Sequence, residues 1–186
     1  MSTAEVFQWT AERFELAAEA GLFGDDRVEL LDGEVLVLAP MRPPHAATVR
    51  RLAYLLIPAL TAQDVTVGVE GPVRLDERTE PLPDVWIARG GPSRYDDRHP
   101  SASELLLAVE VSDTTLGRDL RRKLPAYAAA GIPVVWVVAL GVGEVLEHRD
   151  PDVDLSLYRS VHAAGRGATL NVPGTDLSVA VDDLLR

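Results

Sequence analysis

The sequence predicts an α/β domain in which helices flank a mixed β-sheet and a β-hairpin stands near the N-terminus. Three observations carry that expectation. LLLAVEV and VVWVVAL, beginning at Leu105 and Val134, are almost wholly apolar, as strands covered on both faces of a sheet are. Between them, RDLRRKLPAYAAAG spaces Leu120, Leu124, Tyr127 and Ala128 for a helix. Strand, helix and strand in that order make a crossover whose two strands run parallel. Upstream, RVELLDGEVLVLAP alternates on both sides of Asp32-Gly33, a two-residue hairpin signal whose turn requires positive φ.

The remaining elements follow in chain order. Thr10 caps a first helix running to about Ala20, with Phe14, Ala17 and Ala18 at helical spacing and Gly21 as its stop. In the hairpin, Val28 and Leu30 share one face and Glu29 and Leu31 the other. A glutamate on a half-buried strand wants a partner or an ion. Pro43-Pro44 then breaks the chain before a helix from about Ala46 to Leu60, whose apolar side carries Val49, Leu52, Ala53, Leu56 and Ile57. Val65, Val67 and Val69 alternate in a further strand, with Val73 and Leu75 beyond Gly71-Pro72 available to extend it. Pro81 and Pro83 bound a short strand, DVWIA, and Arg89 to Ser103 reads as an exposed loop. Pro125 makes the next helix kink or start late. After the second apolar strand, Glu144 to Arg149 and Leu155 to Arg159 look like edge strands, and DLSVAVDDLLR closes the chain as a short helix.

Composition fits one domain over residues 1–186, with 47% hydrophobic and 25% charged residues. The longest apolar run, Ile132 to Val142, is broken by Pro133 and Gly141 and falls short of the roughly 20 residues a membrane-spanning helix needs. The opening residues lack both a basic start and a continuous apolar segment, so no secretory signal is expected and a cytoplasmic location is. With no cysteine, a metal would be held by oxygen or imidazole, which favours hard cations such as Mg²⁺ or Mn²⁺. A net charge of −11 opposes a broad, nonspecific grip on nucleic acid. Carboxylates that hold cations, beside a local arginine patch, can reverse that sign where a phosphate sits. Among the 18 basic side chains a single lysine, Lys123, stands with arginines. A compact ammonium kept in so arginine-rich a chain hints at a place where a planar guanidinium does not serve.

Three polar residues occupy apolar surroundings. Asp84 opens a strand after Pro83, Glu110 interrupts the most hydrophobic run, and Lys123 follows on the next helix. An ionised carboxylate buried alone is costly, so Glu110 requires a countercharge. A structural ion pair with Lys123 or an arginine would meet that need, and so would a metal site.

The spacing Pro83-Asp84, then Glu110-Val111-Ser112, then a displaced Lys123 resembles a migrated PD-(D/E)xK nuclease motif. VELLDGEV, His45 after a proline-containing loop, PDVWIA, and VEVSDTTLGRDLRRKLPAYAAAGIPVVWVV together resemble the prokaryotic restriction-endonuclease family called Uma two, from about Arg27 to Ala139 and loosely to Arg186. The resemblance implies a restriction-endonuclease-like fold and a metal-dependent endonuclease, with DNA as the expected substrate. It implies that Asp84 and Glu110 ligate Mg²⁺ or Mn²⁺, that Lys123 takes the superfamily lysine's place, and that Glu29 is an outer carboxylate. A lysine there can orient the attacking water or help deprotonate it. His45, Ser112, Asp119, Arg118 and Arg122 are candidates for contacting nucleic acid or supporting the ligands, as is Arg121. Glu34 is a weaker candidate that reads as a solvated strand residue. A homodimer is expected by analogy, because cutting both strands of a duplex needs two sites.

The sequence departs from the family wording in VSDTT after the glutamate and in lacking an aspartate after VVWVVAL. Neither departure removes a proposed ligand. Two other functions stay open at this point: a catalytically idle module that keeps the fold for binding or regulation, and a carboxylate-pair hydrolase such as a glycosidase, which gives the lysine no role.

Overall fold

The computed structural model describes residues 5–112 and 118–185, the side chains of Arg118 and Asp119 excepted. Helix α1 (Ala11–Glu19) starts where Thr10 Oγ1 accepts a hydrogen bond from the Arg13 amide. Strands β1 (Val28–Leu31) and β2 (Glu34–Val37) pair antiparallel around Asp32 and Gly33, whose φ values of +49° and +75° are those the tight turn demands. Ala11, Phe14 and Leu30 form a small core between helix and hairpin. Leu30 and Glu80 exchange both backbone hydrogen bonds, at 3.2 and 2.7 Å, which fastens the hairpin to the segment leading into the main sheet.

Six strands form that sheet in the order β3 (Val65–Val69), β4 (Val85–Arg89), β5 (Leu105–Ser112), β6 (Val134–Ala139), β7 (Glu144–Asp152) and β8 (Leu157–Ala164). Only β5 and β6 run parallel, joined by α3 (Arg118–Ala129) as the crossover pattern requires. Helix α2 (Pro43–Leu60) covers one face, with Val49, Leu52, Leu56 and Leu60 packed on Val85, Ile87, Leu107, Val109 and Trp136. Helix α3 lies on the other face, with Leu120 and Tyr127 on Trp86, Ala108, Val135 and Val137. Every residue of β5 and β6 is buried, and each large apolar side chain so covered contributes about 1.5–3 kcal/mol.

Several boundaries differ from expectation for physical reasons. Helix α2 begins at Pro43, because prolines suit the first helical positions where no amide partner is needed. Strand β3 ends at Val69, and Glu70 turns the chain with φ +52°, so Val73 and Leu75 do not extend it. Helix α3 runs through Pro125 rather than starting after it. Strand β7 is interior and longer than expected, and the edge falls to β8. The C-terminal segment is only partly helical: β9 (Thr169–Asn171) pairs with β10 (Ser178–Ala180) before the short α4 (Val181–Leu184). No helix among the described residues is long and apolar enough to cross a membrane.

Candidate functional site

Alternation along β5 puts Val109 and Val111 toward α2 and Ala108 toward α3. Glu110, two residues beyond Ala108, therefore faces α3. Asp84 stands before β4 at the register that puts Trp86 on that same face. On α3, Lys123 and Tyr127 are one turn apart and so share a side of the helix. Both reach Glu110: Lys123 Nζ lies 3.1 and 3.3 Å from its two carboxylate oxygens, and the Tyr127 hydroxyl donates at 2.6 Å. The hairpin brings Glu29, whose Oε2 is 3.0 Å from Lys123 Nζ and accepts the Leu82 amide at 3.2 Å. The Leu82 carbonyl accepts a third bond from Lys123 at 3.2 Å. From the start of α2, His45 Nε2 approaches Asp84 Oδ2 at 3.0 Å, an oxygen that also accepts the Val111 amide at 2.6 Å.

These side chains meet beside a cleft of about 260 Å³ that opens to solvent and is lined by Asp84, Glu110, Lys123, His45, Ser112 and Arg42, among others. Asp84, Glu110 and Lys123 keep 8%, 7% and 5% of their surface exposed, whereas Glu29 is sealed at 0%. Burial pushes Glu110 up to about 7; Lys123 and Tyr127 oppose the shift, and the nearby Asp84 and Glu29 carboxylates reinforce it. Burial opposes the charge of Lys123, but Glu110 and Glu29 outweigh it and hold the ammonium above its usual range. The Asp84 hydrogen bond raises His45. Lys123 is thus a fixed cation with its donors engaged, which suits it to orient groups and not to accept a proton.

The cluster sets three carboxylates against one ammonium, and two of its buried polar atoms, Glu29 Oε1 and His45 Nδ1, have no hydrogen-bond partner among the described residues. An oxygen-rich, negatively charged set with imidazole at its edge has the donor chemistry of a hard divalent cation such as Mg²⁺ or Mn²⁺, although no three of its residues bring one ligand atom each within 4.8 Å of one another.

Of the other expected residues, Ser112 joins the cleft and is buried there, and Arg121 and Arg122 lie on the exposed side of α3, where Arg122 pairs with Glu34 at 2.8 Å. Arg118 and Asp119 have side chains outside the described residues. From sequence, Tyr127 is only a residue at helical spacing; its separation of four from Lys123 is the signal that it shares the site. The backbone donors and acceptors at Leu82 and Val111 leave no trace in side-chain identity.

A second donor set lies elsewhere. Glu15, Glu80 and His99 bring one ligand atom each within 4.8 Å of one another, beside a larger cleft that Arg74 also lines. Arg74 pairs with both carboxylates there and supplies positive charge itself.

A family model described as "Uma2: Putative restriction endonuclease" matches residues 11–182. Among solved structures, the chain is similar to one described as a "putative nuclease belonging to DUF820 from Anabaena variabilis ATCC 29413", with a TM-score of 0.67 and 13% identity over 87% of this chain and 90% of that one. At that identity the likeness speaks for the fold. No curated protein matches the chain significantly.

Proposed function

The chain belongs to the Uma2 family, and on that premise we propose that it is a metal-dependent endonuclease that hydrolyses phosphodiester bonds, with DNA as its substrate. The observation that supports this most is the convergence of Asp84, Glu110 and Lys123 from a strand start, a strand interior and a helix onto one solvent-reaching cleft. Asp84 and Glu110 would hold Mg²⁺ or Mn²⁺, which when bound lowers the pKa of water and neutralises charge on the phosphoryl group. Asp84 is oriented for this by the Val111 amide and His45. Glu110 is oriented by Tyr127 and Lys123.

Lys123 presents a permanent positive charge at the cleft, where it stabilises a phosphate, while its N–H groups hold Glu110, Glu29 and the Leu82 carbonyl in place. Glu29 keeps that ammonium in place from beneath. Arg42 and His45 at the start of α2 line the cleft, and that helix has no acidic residue in its first turn, so its positive end favours an anion there. Cutting both strands of a duplex needs two such sites, which a homodimer in the cytoplasm would supply.

One alternative draws on the near closure of the Lys123 and Glu110 bonds, which would suit an idle module that keeps the fold for binding. Incubation of the purified protein with supercoiled plasmid and Mn²⁺ separates the two. Nicking by wild type that falls about 100-fold or more in Asp84→Asn and Lys123→Ala supports the endonuclease. No nicking by wild type, or equal nicking by those variants, favours the idle module.

A further inference from the structure

We propose that a groove between α2 and the β6–β7 turn, flanked by Arg51 and Arg166, holds the phosphate backbone of a polynucleotide next to the bond being cut. The inference rests on the nuclease reading and extends it to how the substrate is seated. The groove has a volume of about 270 Å³ and is walled by Pro44, Thr48, Arg51, Leu140, Gly143 and Arg166, with no carboxylate among its lining residues.

It neighbours the candidate cleft across a strip of packed backbone. Pro44 precedes His45, which lines that cleft, and the Leu140 amide donates to the carbonyl of Ser112, another cleft residue, at 2.8 Å. The first turns of α2 and the paired ends of β5 and β6 are therefore a shared wall, with the cleft on one side and the groove on the other.

Charge favours a polyanion here. The chain as a whole carries −11, yet α2 has no acidic residue between Pro43 and Leu60 and bears Arg50 and Arg51. The other α-helices all contain carboxylates: Glu12, Glu15 and Glu19, then Asp119, and then Asp182 and Asp183. Arg51 donates to Thr48 Oγ1 at 3.1 Å, and Thr48 donates in turn to the Pro44 carbonyl at 3.1 Å. Its guanidinium is thereby held against the helix, while Nε has no partner among the described residues. Across the groove, Arg166 is anchored by Asp182 at 3.1 Å and the Leu185 carbonyl at 2.7 Å, with its side chain still 61% exposed. Asp182 offsets part of its charge but fixes the fork in place. Two positioned guanidinium groups suit phosphate oxygens, which they bind through paired N–H donors.

Binding of a labelled duplex oligonucleotide, measured in EDTA so that nothing is cut, tests the proposal across a salt series. Arg51→Gln combined with Arg166→Gln should weaken binding about 10-fold or more and reduce the salt slope by roughly 1–2. Arg51→Lys combined with Arg166→Lys keeps the charge without the paired donors, so it should recover the salt slope and part of the affinity, which guards against a mere folding defect. Hydrolysis of bis(p-nitrophenyl) phosphate, too small to reach the groove, should be the same in all of them. The proposal is overturned by unchanged affinity and salt slope in the glutamine pair, by no rescue in the lysine pair, or by no binding in wild type. Weakened binding in the glutamine pair without hydrolysis by any form would sink the nuclease reading and keep the groove.

Discussion

Glu110 is the most buried of the carboxylates that line the cleft. Its ordinary value of 4.5 is raised to about 7 by burial. A raised acid favours the protonated form in the folded state, so its stabilising effect is complete below about 4.5 and is lost as pH climbs through about 7. Without divalent cation, stability should therefore fall across that window, and Glu110→Gln should flatten the fall. Glu80, also raised to about 7 by burial, contributes a similar slope in both proteins, so the difference between them is the readout from chemical denaturation. An identical pH slope in the two would contradict the assignment. Tyr127→Phe keeps the packing and removes one bond to a carboxylate, which should cost about 2 kcal/mol. A loss under about 0.5 kcal/mol would mean the hydroxyl contributes less than a neutral hydrogen bond. Asp84, Glu110 and Lys123 were legible in the sequence because each is polar amid apolar neighbours, where burial demands a reason. Tyr127 was hidden because an aromatic at helical spacing serves a core equally well.

Elements with strong local signals were readable, and those shaped by long-range pairing were not. The Asp32-Gly33 turn and the Thr10 cap act within four residues, so sequence alone located the hairpin and α1. Strand β8 escaped its true bounds because its side chains are mostly exposed or half-buried, and Ser160 and His162 break any apolar run. The β9–β10 pair has three residues on each side, too few to show a period. Close approach between elements was equally invisible. A Cβ on Gly68 of β3 would lie 2.0 Å from the Trp86 ring on β4, and the indole N–H is held by the Gly71 carbonyl at 3.1 Å. Gly68→Ala should therefore destabilise the protein by about 1–3 kcal/mol, seen as a lower thermal midpoint. An unchanged midpoint would show that Trp86 yields easily. Because Trp86 follows Asp84 by two residues, that variant should also weaken metal binding.

At the scale of the whole molecule, the sheet's single parallel pair matters most. It puts the end of β5 beside β6, with α3 over one face and the start of α2 beyond the other, so groups far apart in sequence reach one cleft. The crossover was predictable from the pattern of runs, but the exact convergence of Glu29, His45 and Asp84 depended on tertiary packing. A cation bound only by the folded chain stabilises it by about 2.7 kcal/mol at 100 times its dissociation constant. Mn²⁺ should therefore raise the thermal midpoint of wild type and leave Asp84→Asn nearly unmoved. Equal shifts in both would point to the Glu15, Glu80 and His99 set instead. The most direct measurement is an anomalous-scattering map from crystals soaked in Mn²⁺. The account predicts a peak at coordination distance, about 2 Å, from the Asp84 and Glu110 carboxylates. No peak there, or a peak only beside Glu15, Glu80 and His99, would contradict it.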